Sequence, residues 1–124
     1  MFKAVVLLKK KPGMTIEDFV EYYESTHAKL GERVLPTAER YFRRYLTPYP
    51  TPQPDPGQEP DYDVITEIWY KDRATFEASM MSLTNPVIAK EIAEDEEKLF
   101  DRSKIHIFTV EECESKLGGG TKNT

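Results

Sequence analysis

The sequence predicts one α+β domain with the element order β-α-β-β-α-β, and three observations carry that prediction. Four segments, at 2–9, 40–47, 62–70 and 105–110, are rich in β-branched, aromatic or alternating residues. Two stretches, following Met14 and following Asp72, repeat apolar residues at intervals of three and four. Glycine or proline punctuates most of the joins between them.

Residues 2–9 are continuously apolar in the middle, as a buried strand should be. The run Lys10-Lys11-Pro12-Gly13-Met14 ends it. Thr15, with Asp18 three residues later, resembles a capping box in which Asp replaces the usual Glu or Gln. Ile16, Phe19, Val20, Tyr23, His27 and Leu30 then share one helical stripe, which turns His27 inward with the core residues. Gly31 is the expected helix stop.

Residues 40–47 form a basic and aromatic strand, with Tyr41, Arg43 and Tyr45 on one face and Phe42, Arg44 and Leu46 on the other. The segment 48–61 holds six of the nine prolines and is expected to be an extended, polyproline-like loop. In 62–70, Tyr62, Val64, Thr66, Ile68 and Tyr70 alternate with Asp63, Ile65, Glu67 and Trp69. Asp72 caps a short helix bearing Phe76, Met80 and Leu83; Asn85 and Pro86 open the next. The stripe of that helix is Ile88, Ile92, Asp95 and Leu99, so a carboxylate falls on a face that should be buried. In the last strand His106 faces away from Ile105 and Ile107 and reads as structural.

This order is the ferredoxin-like split βαβ plan: a four-stranded antiparallel sheet with its helices on one face. The other face would be bare. A second copy of the chain would cover it, so a homodimer of the dimeric α/β-barrel kind is expected. The domain is assigned to 1–112 and a flexible, glycine-rich tail to 113–124.

The formal charge of −5 argues against a nucleic-acid partner. The basic clusters at 9–11 and at Arg40, Arg43 and Arg44 are short and read as solvated edges, or as the means of holding an anionic substrate group. One cysteine cannot form an internal disulfide and suits a cytoplasmic setting. That residue, Cys113, lies among Glu111, Glu112 and Glu114, where negative charge disfavours the thiolate. No stretch approaches the ~20 apolar residues that span a bilayer, so no membrane association is expected. Two histidines and one cysteine cannot make a usual zinc set, although carboxylates alone could hold a hard cation. No glycine-rich phosphate loop or dinucleotide fingerprint is present. Neither a metal nor a cofactor is therefore assigned.

His27 is the leading candidate for proton transfer near neutral pH. It is either a general acid/base in an apolar pocket or a core histidine bonded to free carbonyls near a helix end. Asp95 either orients that imidazole or, if its helix is rotated, belongs to the solvated acidic run 94–97. Glu67 shares a face with Trp69; it lines a cavity or bonds an arginine across the dimer seam. Tyr23, Tyr41, Tyr45 and Trp69 either line a flat pocket for an aromatic molecule or are ordinary core and interface aromatics. The Tyr45 phenol could bond a substrate carbonyl, and Arg43 on the same face could hold a carboxylate. Asp101 reads as a cap or salt-bridge partner.

Several runs carry a family resemblance: Lys9-Lys10-Lys11-Pro12-Gly13-Met14; Asp18-Phe19 leading to Tyr23; Thr26-His27-Ala28-Lys29-Leu30; Tyr62-Asp63 leading into Glu67-Ile68-Trp69-Tyr70; and Asp95-Glu96 before Leu99-Phe100-Asp101. In order and spacing the chain resembles the EthD family of the dimeric α/β-barrel superfamily over about 3–112. It departs from the family at Val64, where glycine is frequent, and in the length of its proline-rich connection. The resemblance implies a cofactor-free protein with a pocket in each subunit. Its relatives include decarboxylases and dehydratase- or cyclase-type enzymes acting on aromatic polyketides, and an accessory protein of an ether-degrading oxygenase system. On that basis the expected function is a cofactor-independent lyase acting on a small aromatic, phenolic or polyketide-like substrate. His27 and Asp95 would be catalytic, and Tyr23, Arg43, Tyr45, Glu67 and Trp69 would bind substrate. The alternatives are an accessory module that binds a hydrophobic molecule and a cofactor-free monooxygenase.

Overall fold

The computed structural model describes residues 1–50 and 59–121. Its elements are β1 (Phe2–Leu8), α1 (Ile16–Tyr22), a π-helical turn (Tyr23–His27), α2 (Ala28–Val34), β2 (Arg40–Tyr45), β3 (Val64–Tyr70), α3 (Arg73–Ser82), α4 (Pro86–Leu99), a 3₁₀ turn (Arg102–Lys104), β4 (His106–Thr109) and α5 (Gly118–Thr121). The strands form one antiparallel sheet in the order β2-β3-β1-β4. This is the ferredoxin-like arrangement the sequence predicts. Most of the proline-rich loop, 51–58, lies outside the described residues.

Helix starts follow local chemistry. Thr15 accepts the Asp18 N–H at 3.1 Å, Asp72 accepts the Thr75 N–H at 2.8 Å, and Asn85 accepts the N–H groups of Val87 and Ile88. Each side-chain oxygen satisfies backbone donors that would otherwise lack partners, worth about 1 kcal/mol per cap. Pro86 occupies the first turn of α4, where its missing N–H costs nothing.

The helices cover one face of the sheet. Ala4 and Leu8 of β1 lie opposite Ile68 and Val64 of β3, and all four are buried against the helices. Phe19 and Tyr23 pack with Phe100 and Tyr45 through edge-on ring contacts at 5.7–6.3 Å. On the open face Lys3 sits 4.0 Å above the Trp69 ring, and Arg44 bonds Glu67 at 2.8 Å. Phe42 and Phe108 share that face.

Three expectations need correction. Gly31 does not end the helix: α2 continues to Val34. Gly31 is buried close to Tyr41, and the helix stops at Leu35, which precedes Pro36 and leaves the helical region at φ −120°, ψ 57°. A residue before proline is pushed out of the α conformation by the pyrrolidine ring. Second, the first helical stripe is not one regular helix but two α segments joined by the π turn. Third, Ile16 is 37% exposed, so it does not belong to the core stripe. The described part of the tail includes one helical turn, α5. Among the described residues no helix is long and apolar enough to cross a membrane.

Candidate functional site

The site begins at the π turn. The Ala28 N–H reaches the Tyr23 carbonyl five residues back, which inserts an extra residue into the helix. His27, the last residue of that turn, touches the rings of Tyr23 and Phe100 edge-on, each at a centroid distance of 5.1 Å. These contacts hold the imidazole plane from two sides.

A third contact fixes its azimuth. Asp95 on α4 brings Oδ2 to 2.7 Å from His27 Nδ1. Its other oxygen, Oδ1, accepts the Tyr22 hydroxyl at 2.5 Å. The carboxylate is almost wholly buried, yet both oxygens have donors. Burial, and then the Asp95 hydrogen bond, push the Tyr22 phenol up to about 12. A carboxylate at Nδ1 can only accept, so in the neutral imidazole that arrangement selects the tautomer with the proton on Nδ1 and the lone pair on Nε2. Nε2 has no protein partner among the described residues, and it is not a buried orphan.

His27 lines a cavity of about 250 Å³ between the helix-facing side of the sheet and the helices. Its walls are mostly aliphatic and aromatic, with Val6, Ile68, Met80 and Ile105 among them. The polar groups in it are few. The Tyr23 hydroxyl pairs with Thr66 at 2.6 Å. Burial holds the phenols of Tyr23 and Tyr41 above their ordinary range. Glu96 also lines the cavity; burial raises its carboxyl, against the opposing pull of Arg102 and His27.

The predicted residues separate into three places. His27, Asp95 and Tyr23 come together at the cavity, with Asp95 behind the imidazole rather than on the cavity wall. Arg43 and Tyr45 do not line it. They converge instead on Glu24, with Arg43 contacts of 3.0 and 2.7 Å and a Tyr45 contact of 2.5 Å. The forked guanidinium holds the Glu24 carboxyl below its ordinary range, and burial raises the Tyr45 phenol. A guanidinium already matched to a carboxylate in this way has no fork left for a substrate. Glu67 and Trp69 lie on the open face of the sheet, where Trp69 Nε1 donates to Glu67 at 3.0 Å, so the sheet separates them from His27. The Arg44 that pairs with Glu67 belongs to the same chain.

Tyr22, Thr66, Glu96 and Phe100 are site residues that the sequence reading did not select. For Glu96 a signal existed: Ile92, Glu96 and Leu99 stand at helical spacing, so Glu96 belongs beside the apolar stripe. Tyr22 gave none, because it stands five residues before His27, a spacing brought to one face by the π turn and not by a regular α-helix. His106 faces the open side beside Tyr62 and Phe108. Among the described residues no group of three or more His, Cys, Asp or Glu could hold a metal ion.

Three solved structures are similar in fold. An EthD family protein from Bacillus halodurans C-125 has TM-score 0.61 and 19% identity, covering 91% of this chain and 100% of that one. HapK from Hahella chejuensis has TM-score 0.58 and 13% identity, covering 95% and 98%. A dimeric ferredoxin-like protein of unknown function from Thermobifida fusca has TM-score 0.50 and 15% identity, covering 88% and 86%. No curated protein matches the sequence. The EthD domain matches residues 11–103, from the turn after β1 through the 3₁₀ turn, and so takes in His27, Asp95 and Glu96. This chain belongs to the EthD family.

Proposed function

We propose that the protein is a cofactor-independent lyase-type enzyme in which His27 moves a proton on a small aromatic, phenolic or polyketide-like molecule held in the cavity. The observation that carries this reading is the pairing of His27 Nδ1 with buried Asp95 at 2.7 Å, which leaves Nε2 without a partner among the described residues, beside an apolar cavity. A neutral imidazole oriented in this way accepts a proton at Nε2, and the anion behind it stabilises the imidazolium that forms. The cavity is slightly below the ~300–1,000 Å³ of drug-sized sites, which suits a molecule of one or two rings. Its aromatic walls favour a flat ligand.

The reading includes a homodimer built on the open face. Val5, Phe42, Ile65 and Phe108 form an apolar surface there, interspersed with Arg40, Arg44 and Lys3. The ferredoxin-like neighbour from Thermobifida fusca is itself dimeric.

The test compares the wild type with His27→Ala and His27→Gln on two probes, an aryl β-hydroxy ketone and an aryl β-keto acid. Turnover of one probe should fall by ~10²–10⁴-fold in both variants, the usual contribution of a positioned acid/base. Calorimetric affinity for an aryl ketone should persist in His27→Gln. Equal turnover by all three proteins refutes the mechanism, and tight binding without turnover by the wild type points to a ligand-carrying module instead.

A further inference from the structure

We propose that Glu96 is the acid partner of His27, and that the cavity serves loss of water from a β-hydroxy carbonyl compound rather than loss of carbon dioxide from an aromatic acid. This inference rests on the reading of His27 as the base.

Asp95 and Glu96 are successive residues of α4, about 100° apart around the helix. That step puts one carboxyl behind the imidazole, at Nδ1, and the next on the cavity wall. The two are not equivalent. Both oxygens of Asp95 are saturated by donors at 2.5 and 2.7 Å. Glu96 has no such donor among the described residues; its nearest cation is Arg102 Nε at 3.5 Å, too far for a strong hydrogen bond. Asp95 is therefore committed to its two donors, whereas the Glu96 carboxyl, which burial raises, stands on the cavity wall without such a pair.

Apart from His27 and Glu96, the titratable groups lining the cavity are the phenols of Tyr23 and Tyr41, which burial makes poorer acids. Elimination of water needs a base at carbon and an acid at the departing oxygen, which is the pair present. Decarboxylation needs one proton donor and requires a substrate carboxylate in the same cavity. Among the described residues no lysine or arginine lines the cavity to hold that anion.

The step balances. His27 Nε2 takes the proton on the carbon beside the carbonyl, and the electron pair of that C–H bond becomes the new C=C bond. The C–O bond breaks with its pair on oxygen, Glu96 gives that oxygen its carboxyl proton, and water leaves. Return of the proton from the imidazolium to the Glu96 carboxylate, through the departing water, restores both groups.

The charged and titratable groups facing Glu96 are His27 from the π turn, Arg102 from the 3₁₀ turn and Asp95 from its own helix. Arg102 and His27 favour the carboxylate; burial and Asp95 favour the protonated acid and prevail. Glu96 thus keeps its proton to a higher pH than an exposed glutamate.

The experiment uses the full chain and the aldol adduct of benzaldehyde and acetone, following both elimination and deuterium exchange at the carbon beside the carbonyl. Glu96→Gln should eliminate at least ~10²-fold more slowly, while exchange, which needs only the base, continues. His27→Ala should lose both. Elimination by Glu96→Gln within about threefold of the wild type overturns the role of Glu96 and leaves that of His27 standing. If the wild type does neither, the reading of His27 falls. Glu96 is then judged by a carbon NMR titration of its carboxyl, in which a midpoint in the range of exposed glutamates overturns the acid role independently.

Discussion

Replacing Asp95 by Asn tests the core of the proposed site, because the structure dictates how the amide must sit. Asp95 takes one hydrogen from His27 Nδ1 and one from the Tyr22 hydroxyl. An amide has one oxygen to accept and one nitrogen to donate. If the nitrogen faced Nδ1, two donors would collide. A hydroxyl can accept as well as donate, so the favoured orientation puts the amide oxygen on His27 and the amide nitrogen on Tyr22. The imidazole tautomer then survives and only the charge is lost. Hydrogen bonds to charged groups contribute ~1.5–3 kcal/mol and neutral ones ~0.5–1.5, while a unit charge ~4 Å away at an effective dielectric of ~20 contributes up to about 4 kcal/mol. The loss of imidazolium stabilisation is therefore ~1–4 kcal/mol, or ~10–10³-fold in rate. The assay is deuterium exchange on the aldol adduct, read as kcat and KM separately. The effect should fall on kcat, with calorimetric affinity for an aryl ketone unchanged. Adding Tyr22→Phe should deepen the loss more than additively, because the amide nitrogen then has no partner and the amide is free to flip. Exchange by Asp95→Asn within about threefold of the wild type would show that the carboxylate does not act through His27.

Three further predictions address the fold around the site. A Cβ added at Gly31 would lie 2.7 Å from the Tyr41 hydroxyl oxygen and 2.9 Å from its ring carbon Cε2. Gly31→Ala gains ~1 kcal/mol of helix propensity but loses ~1–3 kcal/mol to overpacking, so it should melt at or a few degrees below the wild type and bind aryl ketones more weakly as the Tyr41 ring moves. A clear rise in Tm with unchanged affinity would contradict this. Glu24 is held below its ordinary pKa chiefly by the Arg43 hydrogen bonds, so its stabilisation is present at neutral pH and is lost as pH falls through that lowered value. Glu24→Gln should flatten the acid limb of urea unfolding measured below the ordinary glutamate value of 4.5, and an unaltered limb would dismiss the pair as a source of acid lability. Phe108 is half exposed on the open face. Phe108→Asp should convert a dimer to a monomer in sedimentation velocity, and a retained dimer would place the interface elsewhere.

Much of the architecture was legible in the sequence because it rests on short-range physics. Alternation in 62–70 assigned both faces of β3, and Asp72, Asn85 and Pro86 marked helix starts through their own side chains and ring. The inward placement of His27 and Asp95 also followed from spacing, since residues three or four apart share a helix face. What failed was mostly non-local. Arg43 reads as a free cation until Glu24, nineteen residues away, is brought against it. Gly31 reads as a helix stop until Tyr41 is packed across it.

The sequence by itself determined the α+β plan and the helical stripes, and it made His27 the leading candidate while leaving Asp95 between two readings. Those properties depend on backbone periodicity and on the chemistry of single residues. Only the tertiary structure decided which nitrogen of His27 is left without a partner among the described residues, that Tyr22 shares Asp95, and that Glu96 rather than Glu67 lines the cavity. The physical reason is that a π turn shifts the register of everything after it, and hydrogen bonds between distant elements are directional to within tenths of an ångström. Neither the shift nor the direction is encoded in the spacing of apolar residues.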